Sequence, residues 1–220
     1  MNSTKNKLQF QLDAQKSTWA SKASESTKIL YREAFEQIEK GGIIEKAIKS
    51  GDKAPDFILE NTFGKKVQLS KLLLENIVIL TWYRGGWCPY CNLTLRALQQ
   101  AVPEIEAAGA KLVALTPELP DNSLSTVEKL NLEFEVLSDI GNQVAKQYKV
   151  VFRLHPEVAK IYQDSFGLHD HNGDESEELP LAATYIIDQS QKVRYAFLNV
   201  DYRFRADPQD LLAELNRIKT

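Results

Sequence analysis

Cysteine is scarce in this chain, with two in 220 residues. Two thiols cannot staple a fold the way the bridges of small secreted domains do, so stability has to come from a core. Long apolar runs are missing as well. None approaches the roughly 20 residues a membrane-crossing helix needs, so no spanning segment and no membrane partner are expected. Neither sign of charge dominates: 27 basic and 30 acidic residues give a formal net charge of -3. The basic residues are interspersed rather than clustered, which does not recommend nucleic acid or an anionic membrane as a partner. The start, Met1-Asn2-Ser3-Thr4-Lys5-Asn6-Lys7, has no apolar stretch behind it. A secretory signal is therefore not expected, and the expected location is cytoplasmic, where disulfides are transient. Three histidines and the lack of a second Cys-x-x-Cys leave a structural zinc site short of its four ligands. No metal and no cofactor are expected.

A mass of 24.9 kDa is enough for one well-cored domain plus an extension. Residues 1–50 read as a helical extension. Leu8, Leu12 and Trp19 share one face, as do Tyr31, Phe35 and Ile38, and Gly41-Gly42 stops the second helix. This arm packs on the main domain or forms a homodimer contact; an apolar stripe needs a partner but not a second chain. Residues 51–220 read as the main domain. Short strands are expected at 57–59 and 66–69. The apolar run Ile77-Val78-Ile79-Leu80-Thr81-Trp82-Tyr83 is patterned as a strand buried on both faces. A helix to about Ala108 follows, then strands at 111–115 and 134–137 with helices after each, and a final hairpin of 184–187 and 193–198. Asp207-Pro208 starts the last helix with a cap and a first-turn proline. The alternation predicts an α/β architecture, a mixed central sheet flanked by helices. Residues 153–180 are the least regular, and the acidic stretch 169–178 reads as an exposed loop.

Both cysteines fall in Trp87-Cys88-Pro89-Tyr90-Cys91, between a strand pattern and a helix pattern. That context makes a Cys-x-x-Cys a thiol–disulfide site at a helix N-terminus. A thiolate attacks and a thiol barely does; at pH 7 an unperturbed cysteine is only about 3% ionised. Unpaired N–H groups and the macrodipole at the helix start favour ionisation of Cys88. Pro89 suits the first helical position, and Gly85-Gly86 allows a sharp turn from strand to helix. Cys91 shares an apolar stripe with Leu95, Leu98, Val102 and Ile105, so it is expected inside. The expectation is an exposed attacking Cys88 and a buried resolving Cys91. Two inert packing cysteines are the alternative, and the Gly-Gly-Trp flank argues against it.

Tyr83-Arg84-Gly85-Gly86-Trp87-Cys88-Pro89-Tyr90-Cys91 resembles the active-site turn of the thioredoxin superfamily. The wider chain resembles the peroxiredoxin-like alkyl hydroperoxide reductase/thiol-specific antioxidant family. The similarity is carried by Gly51-Asp52-Lys53-Ala54-Pro55-Asp56-Phe57, Lys66-Val67-Gln68-Leu69-Ser70, Leu137-Ser138-Asp139 and Ala183-Thr184-Tyr185-Ile186-Ile187-Asp188. The resemblance implies a thioredoxin-like fold and an enzyme that reduces hydroperoxides through a cysteine sulfenic acid. It implies thioredoxin, glutaredoxin or glutathione as electron donor, the Pro89-Tyr90 dipeptide being what glutaredoxins carry. The chain departs from the family in places. Peroxiredoxins have proline and threonine or serine where Thr81 and Gly85 stand, and an arginine near Ala182. Arg84 and Arg205 are the candidate substitutes for that arginine. Thioredoxin has an aspartate where Thr81 falls. A thiol–disulfide oxidoreductase acting on protein or glutathione disulfides is therefore a second reading, and a redox-sensing module a third.

The supporting candidates are Arg84, Gly85, Gly86, Trp87, Pro89, Tyr90, Thr81 and Thr116. Thr116 and Glu118 end a strand on the side where Cys88 emerges, where α/β sheets bind ligands. A strand-end turn with no chemistry is the alternative for both; as a chemical group, Glu118 is expected to accept a proton from Cys91 rather than to face Cys88. Trp82 and Trp87 flank the cysteines as packing or as a lid. His155 is expected in a turn, and His169 and His171 in solvent.

Overall fold

A computed structural model describes residues 7–218; Met1–Asn6, the first part of the expected helical arm, lie outside them. The arm consists of α1 (Lys7–Lys22), α2 (Glu25–Lys40) and α3 (Ile43–Lys46). Ser24 caps α2 by accepting the Thr27 N–H, and Gly42, in the left-handed region, separates α2 from α3. A small antiparallel pair follows, β1 (Ile58–Glu60) with β2 (Lys66–Gln68), then α4 (Leu69–Leu72).

The central sheet contains β3 (Ile77–Trp82), β4 (Ala110–Thr116), β5 (Glu135–Ser138), β8 (Thr184–Ile187) and β9 (Val193–Phe197), in the order β5-β4-β3-β8-β9. The helices between them are α5 (Pro89–Ala107), α6 (Pro120–Leu130) and α7 (Gln143–Gln147). β3, β4 and β5 are parallel; β8 runs antiparallel to β3, and β9 to β8. The first three need helical crossovers and the last two only a hairpin. This is the mixed sheet the sequence pattern implies.

Alternation along β3 sorts its side chains. Val78, Leu80 and Trp82 face a core with Val113, Leu137, Tyr148 and Tyr185. Ile79 faces the opposite core, against Leu98, Val102 and Ile105 of α5 and Leu211 and Leu215 of α10 (Pro208–Ile218). One consequence corrects the sequence reading. Trp82 does not flank the cysteines; it packs 4.9 Å from Tyr148 and 5.9 Å from Tyr185, ring centre to ring centre.

Residues 153–180 are regular, contrary to expectation. β6 (Val151–Arg153) pairs with β7 (Glu178–Pro180), and between them stand α8 (Pro156–Phe166) and α9 (Leu168–Asn172). The start of α8 was present in the sequence as His155-Pro156: His155 is the N-cap, its ring accepting the Glu157 N–H, and Pro156 opens the helix. Val158, Ala159 and Tyr162 form its buried face. That face meets α2, with Tyr31 and Tyr162 at 6.3 Å. Leu8 and Leu12 of α1 join the cluster that holds Cys88, Cys91 and Leu95. Each leucine so buried contributes about 2 kcal/mol. The arm thus covers the start of α5.

Candidate active site

Cys88 is the N-cap of α5, with extended backbone (φ -87°, ψ 114°), and its carbonyl accepts the Asn92 N–H at 3.1 Å. Pro89 takes the first turn and is exposed. The approach to the cap is tightly determined. A Cβ on Gly85 would overlap the Trp87 indole, and one on Gly86 would overlap the Thr126 hydroxyl. Glycine is required at both positions for space. Two side chains fasten Gly86: its N–H donates to Glu118 Oε2 at 2.9 Å, and its carbonyl accepts from Asn92 Nδ2 at 2.9 Å.

Glu118 is fully buried, and its other oxygen lies 2.9 Å from His171 Nδ1. Of the two readings of Glu118 the turn holds and the proton acceptor for Cys91 does not, and the placement of His171 is corrected. Glu118 serves the Gly86 turn and not Cys91, and His171 sits on α9 against that carboxylate instead of in solvent. The reason is topological: Gly173 packs on Leu119, and the Leu119 N–H donates to the His171 carbonyl at 2.9 Å, which lays α9 over the end of β4. Neither histidine belongs to a metal-capable cluster among the described residues.

Both sulfurs are free thiols with no exposed surface. The expected exposed Cys88 is therefore overturned, because α1, α8 and the chain after β9 close over it. Two arginines are buried with the pair. Arg84 Nη2 donates to Cys88 Sγ at 3.0 Å, and Arg205 Nη2 donates to Cys91 Sγ at 3.4 Å. Both arginines expected as substitutes are thus present, one on each sulfur, while Ala182 is buried and offers no charge. Arg84 is held by an aromatic cage. Its guanidinium carbon lies 3.4 Å from the centre of the Tyr202 ring, 5.2 Å from that of Trp87 and 5.4 Å from that of Tyr162, whose hydroxyl accepts from Nη1 at 2.9 Å. Weakly hydrated guanidinium tolerates such a site where ammonium would not.

The two thiols titrate as a pair. Burial pushes the Cys88 thiol well above its ordinary value, and its hydrogen bond to Cys91 adds to that, while Arg84 opposes it. Burial also disfavours ionisation of Cys91. There it is outweighed by the hydrogen bond received from Cys88 and by the Arg205 and Arg84 charges, which hold Cys91 well below its ordinary value. The expected low-pKa Cys88 is corrected in this form: the pair loses its first proton easily and its second with difficulty.

The remaining candidates divide by distance from the sulfurs. Trp87 stacks on Phe166 at 5.3 Å and closes one side. Tyr90 lies edge-on to Tyr202 at 5.4 Å, and burial pushes its hydroxyl up to about 12. Thr81 is one step removed; its hydroxyl bonds Thr184 Oγ1 at 2.8 Å. Thr116 accepts the Glu118 N–H at 3.4 Å. Tyr162, Tyr202, Leu8 and Leu12 were not singled out for the site by sequence reasoning, although Leu8 and Leu12 were on the arm's apolar face.

Known proteins share this frame. The chain is 26% identical over 108 residues to the thiol-disulfide oxidoreductase ResA of Bacillus thuringiensis, covering 49% of this chain and 61% of that one. It is 27% identical over 158 residues to the chloroplastic peroxiredoxin Q of Triticum aestivum, covering 72% and 63%. The chain therefore spans less than two thirds of the length of these relatives. In fold it matches the crystal structure of peroxidoxin BcpB from Mycobacterium tuberculosis, with a TM-score of 0.62 and 22% identity over 79% of this chain and 99% of that one. Residues 50–196, which include the whole strand–turn–helix around the cysteines, match the AhpC/TSA family, and the chain belongs to it.

Proposed function

We propose that the protein is a thiol-dependent oxidoreductase that reduces hydroperoxides. The observation that carries this reading is the buried Cys88–Cys91 pair with a guanidinium on each sulfur, Arg84 Nη2 at 3.0 Å from Cys88 Sγ and Arg205 Nη2 at 3.4 Å from Cys91 Sγ. A peroxide entering beside Arg84 meets Cys88 first. Cys91 takes the Cys88 proton, and the Cys88 thiolate attacks the terminal peroxide oxygen. The O–O bond breaks and an alkoxide leaves, which Cys91 protonates to the alcohol. Cys88 is then a sulfenic acid. The Cys91 thiolate attacks the Cys88 sulfur, a disulfide forms and hydroxide leaves to be protonated by solvent. Arg84 stabilises negative charge as it passes from sulfur to oxygen. Two electrons from thioredoxin, glutaredoxin or glutathione restore the dithiol. Transient use of the only two cysteines fits a reducing, cytoplasmic setting.

Anaerobic stopped-flow mixing of reduced protein with hydrogen peroxide and an alkyl hydroperoxide tests this. Consumption far faster than by a free thiolate, lost in Cys88→Ser, is expected. A rate no better than free cysteine removes the proposal.

A second reading, exchange with protein or glutathione disulfides, is favoured by two observations. Pro89 is exposed directly beside Cys88, as a docking surface for a disulfide requires. Gly85 offers no hydroxyl where peroxiredoxins orient peroxide. Faster oxidation by a glutathione mixed disulfide than by any peroxide would select it.

A further inference from the structure

The excursion between β6 and β7 reaches the cysteine turn at three points. Tyr162 of α8 accepts from Arg84 Nη1 at 2.9 Å, Phe166 of α8 stacks on Trp87 at 5.3 Å, and His171 Nδ1 of α9 lies 2.9 Å from Glu118 Oε1. The first two contacts are with side chains. The third acts on the backbone, because Glu118 Oε2 accepts the Gly86 N–H at 2.9 Å, two residues ahead of Cys88.

The Glu118 side chain has no exposed surface, whereas 28% of the His171 side chain is exposed. A buried carboxylate has to be paired or hydrogen-bonded. Among the described residues His171 is the one basic side chain within ion-pair distance of it. A carboxylate only accepts, so Nδ1 carries the hydrogen and donates. The other titratable neighbour of Glu118 is the Tyr83 phenol at the end of β3, which burial first and the Glu118 charge second push well up. Asp170, beside His171 on α9, is exposed. Removing the imidazole leaves Oε1 without its donor. The carboxylate then turns towards another donor or towards water, and the Gly86 bond turns with it. The Cys88 N–H donates to the Gly85 carbonyl at 3.1 Å, so the turn moves as a unit. A shift of about 1 Å is enough to spoil the contact between Arg84 Nη2 and Cys88 Sγ, since hydrogen bonds weaken steeply with distance and angle. The bond from Cys88 and the Arg205 and Arg84 charges are what hold Cys91 low against burial.

We propose that His171 is a positioning residue for Cys88. By holding Glu118 on the Gly86 N–H, it fixes the turn that presents Cys88 Sγ to Arg84 and to Cys91. No contact between His171 and either sulfur is needed. The role concerns ionisation of the pair and is the same whether a peroxide or a disulfide is the oxidant, so it does not rest on the peroxide reading. The docking of α9 does not depend on the imidazole. The His171 carbonyl accepts the Leu119 N–H at 2.9 Å and Asn122 Nδ2 at 3.1 Å, and Leu168 and Asn172 are buried. Replacing the side chain therefore leaves the helix in place.

The thiolates are followed by their ultraviolet absorbance on the full-length reduced protein across a pH series. The same series on Cys88→Ser with Cys91→Ser is subtracted to remove tyrosine. His171→Ala is expected to displace the first thiol step to higher pH, the direction expected of Arg84→Gln. His171→Asn keeps a donor close to the place of Nδ1 and carries no charge; it is expected to titrate like the parent. In an Arg84→Gln background the displacement caused by His171→Ala is expected to shrink, because the sulfur there has already lost the charge it was held against. Urea unfolding of each variant is measured alongside. Lower stability with an unmoved thiol step means a purely structural role and overturns the proposal. Equal displacement in the alanine and asparagine variants, or a displacement undiminished in the Arg84→Gln background, assigns the effect to imidazolium charge and overturns it as well. If the alanine variant does not fold, His171→Phe, which fills the space without a donor, is read in its place with the same outcomes. No peroxide is used, so failure here leaves the peroxide reading standing, and absence of peroxide turnover in the parent leaves this role standing.

Discussion

Arg84 Nη2 lies 3.0 Å from Cys88 Sγ, with both groups buried. A cation at this distance favours thiolate over thiol. Arg84→Gln keeps a donor and removes the charge. The apparent pKa of the pair is expected to rise, so alkylation in the variant should need a higher pH than in the parent. The deficit should close as pH is raised past the thiol range. Superimposable pH profiles for variant and parent would show that Arg84 has no electrostatic role.

Glu118 joins the Gly86 turn to α9. Glu118→Gln keeps an acceptor for the Gly86 N–H, whereas Glu118→Ala leaves that donor unpaired at about 1–3 kcal/mol. Urea unfolding should show the alanine variant as the less stable by that margin, with slower peroxide turnover. Equal loss in both variants would point to the carboxylate charge instead of the hydrogen bond.

Gly86→Ala drives a methyl group into the Thr126 hydroxyl. A loss of about 1–3 kcal/mol is expected, with displacement of Cys88 and reduced activity. Thr126→Ala in the same chain removes the oxygen and should restore part of both. Without any recovery, steric exclusion is not the reason for glycine here.

Leu12→Ala leaves a cavity in the cluster that holds both cysteines. The expected destabilisation is about 3 kcal/mol. Alkylation of Cys88 should accelerate, since the arm covers the start of α5. Stability lost with no gain in alkylation would mean that access comes from another side.

Trp87 adjoins Cys88 and the Arg84 cage, while Trp82 lies in the far core. The fluorescence change on oxidation should vanish in Trp87→Phe and persist in Trp82→Phe. The opposite result would place the redox-linked rearrangement in the sheet.

The sequence by itself determined most of the frame. Period-two and period-3.6 patterns, the Asp207-Pro208 start and the nearly continuous apolar run of β3 are local signals, and each produced its element near the expected place. Cys88-Pro89-Tyr90-Cys91 at a strand–helix junction was equally legible, because a cap and a first-turn proline act within a few residues. His155-Pro156 carried the same kind of signal for α8, although the sequence reading took His155 for a turn residue. Tertiary structure alone decided what surrounds the sulfurs. Arg205 reaches Cys91 across 114 positions and His171 reaches Glu118 across 53. No local pattern encodes such pairs, since they follow from strand order and from where α1 and α8 come to rest. Burial of Cys88 was decided in the same way. Whether a side chain at a helix start meets water depends on what packs over it, and here that cover comes from segments distant in the chain.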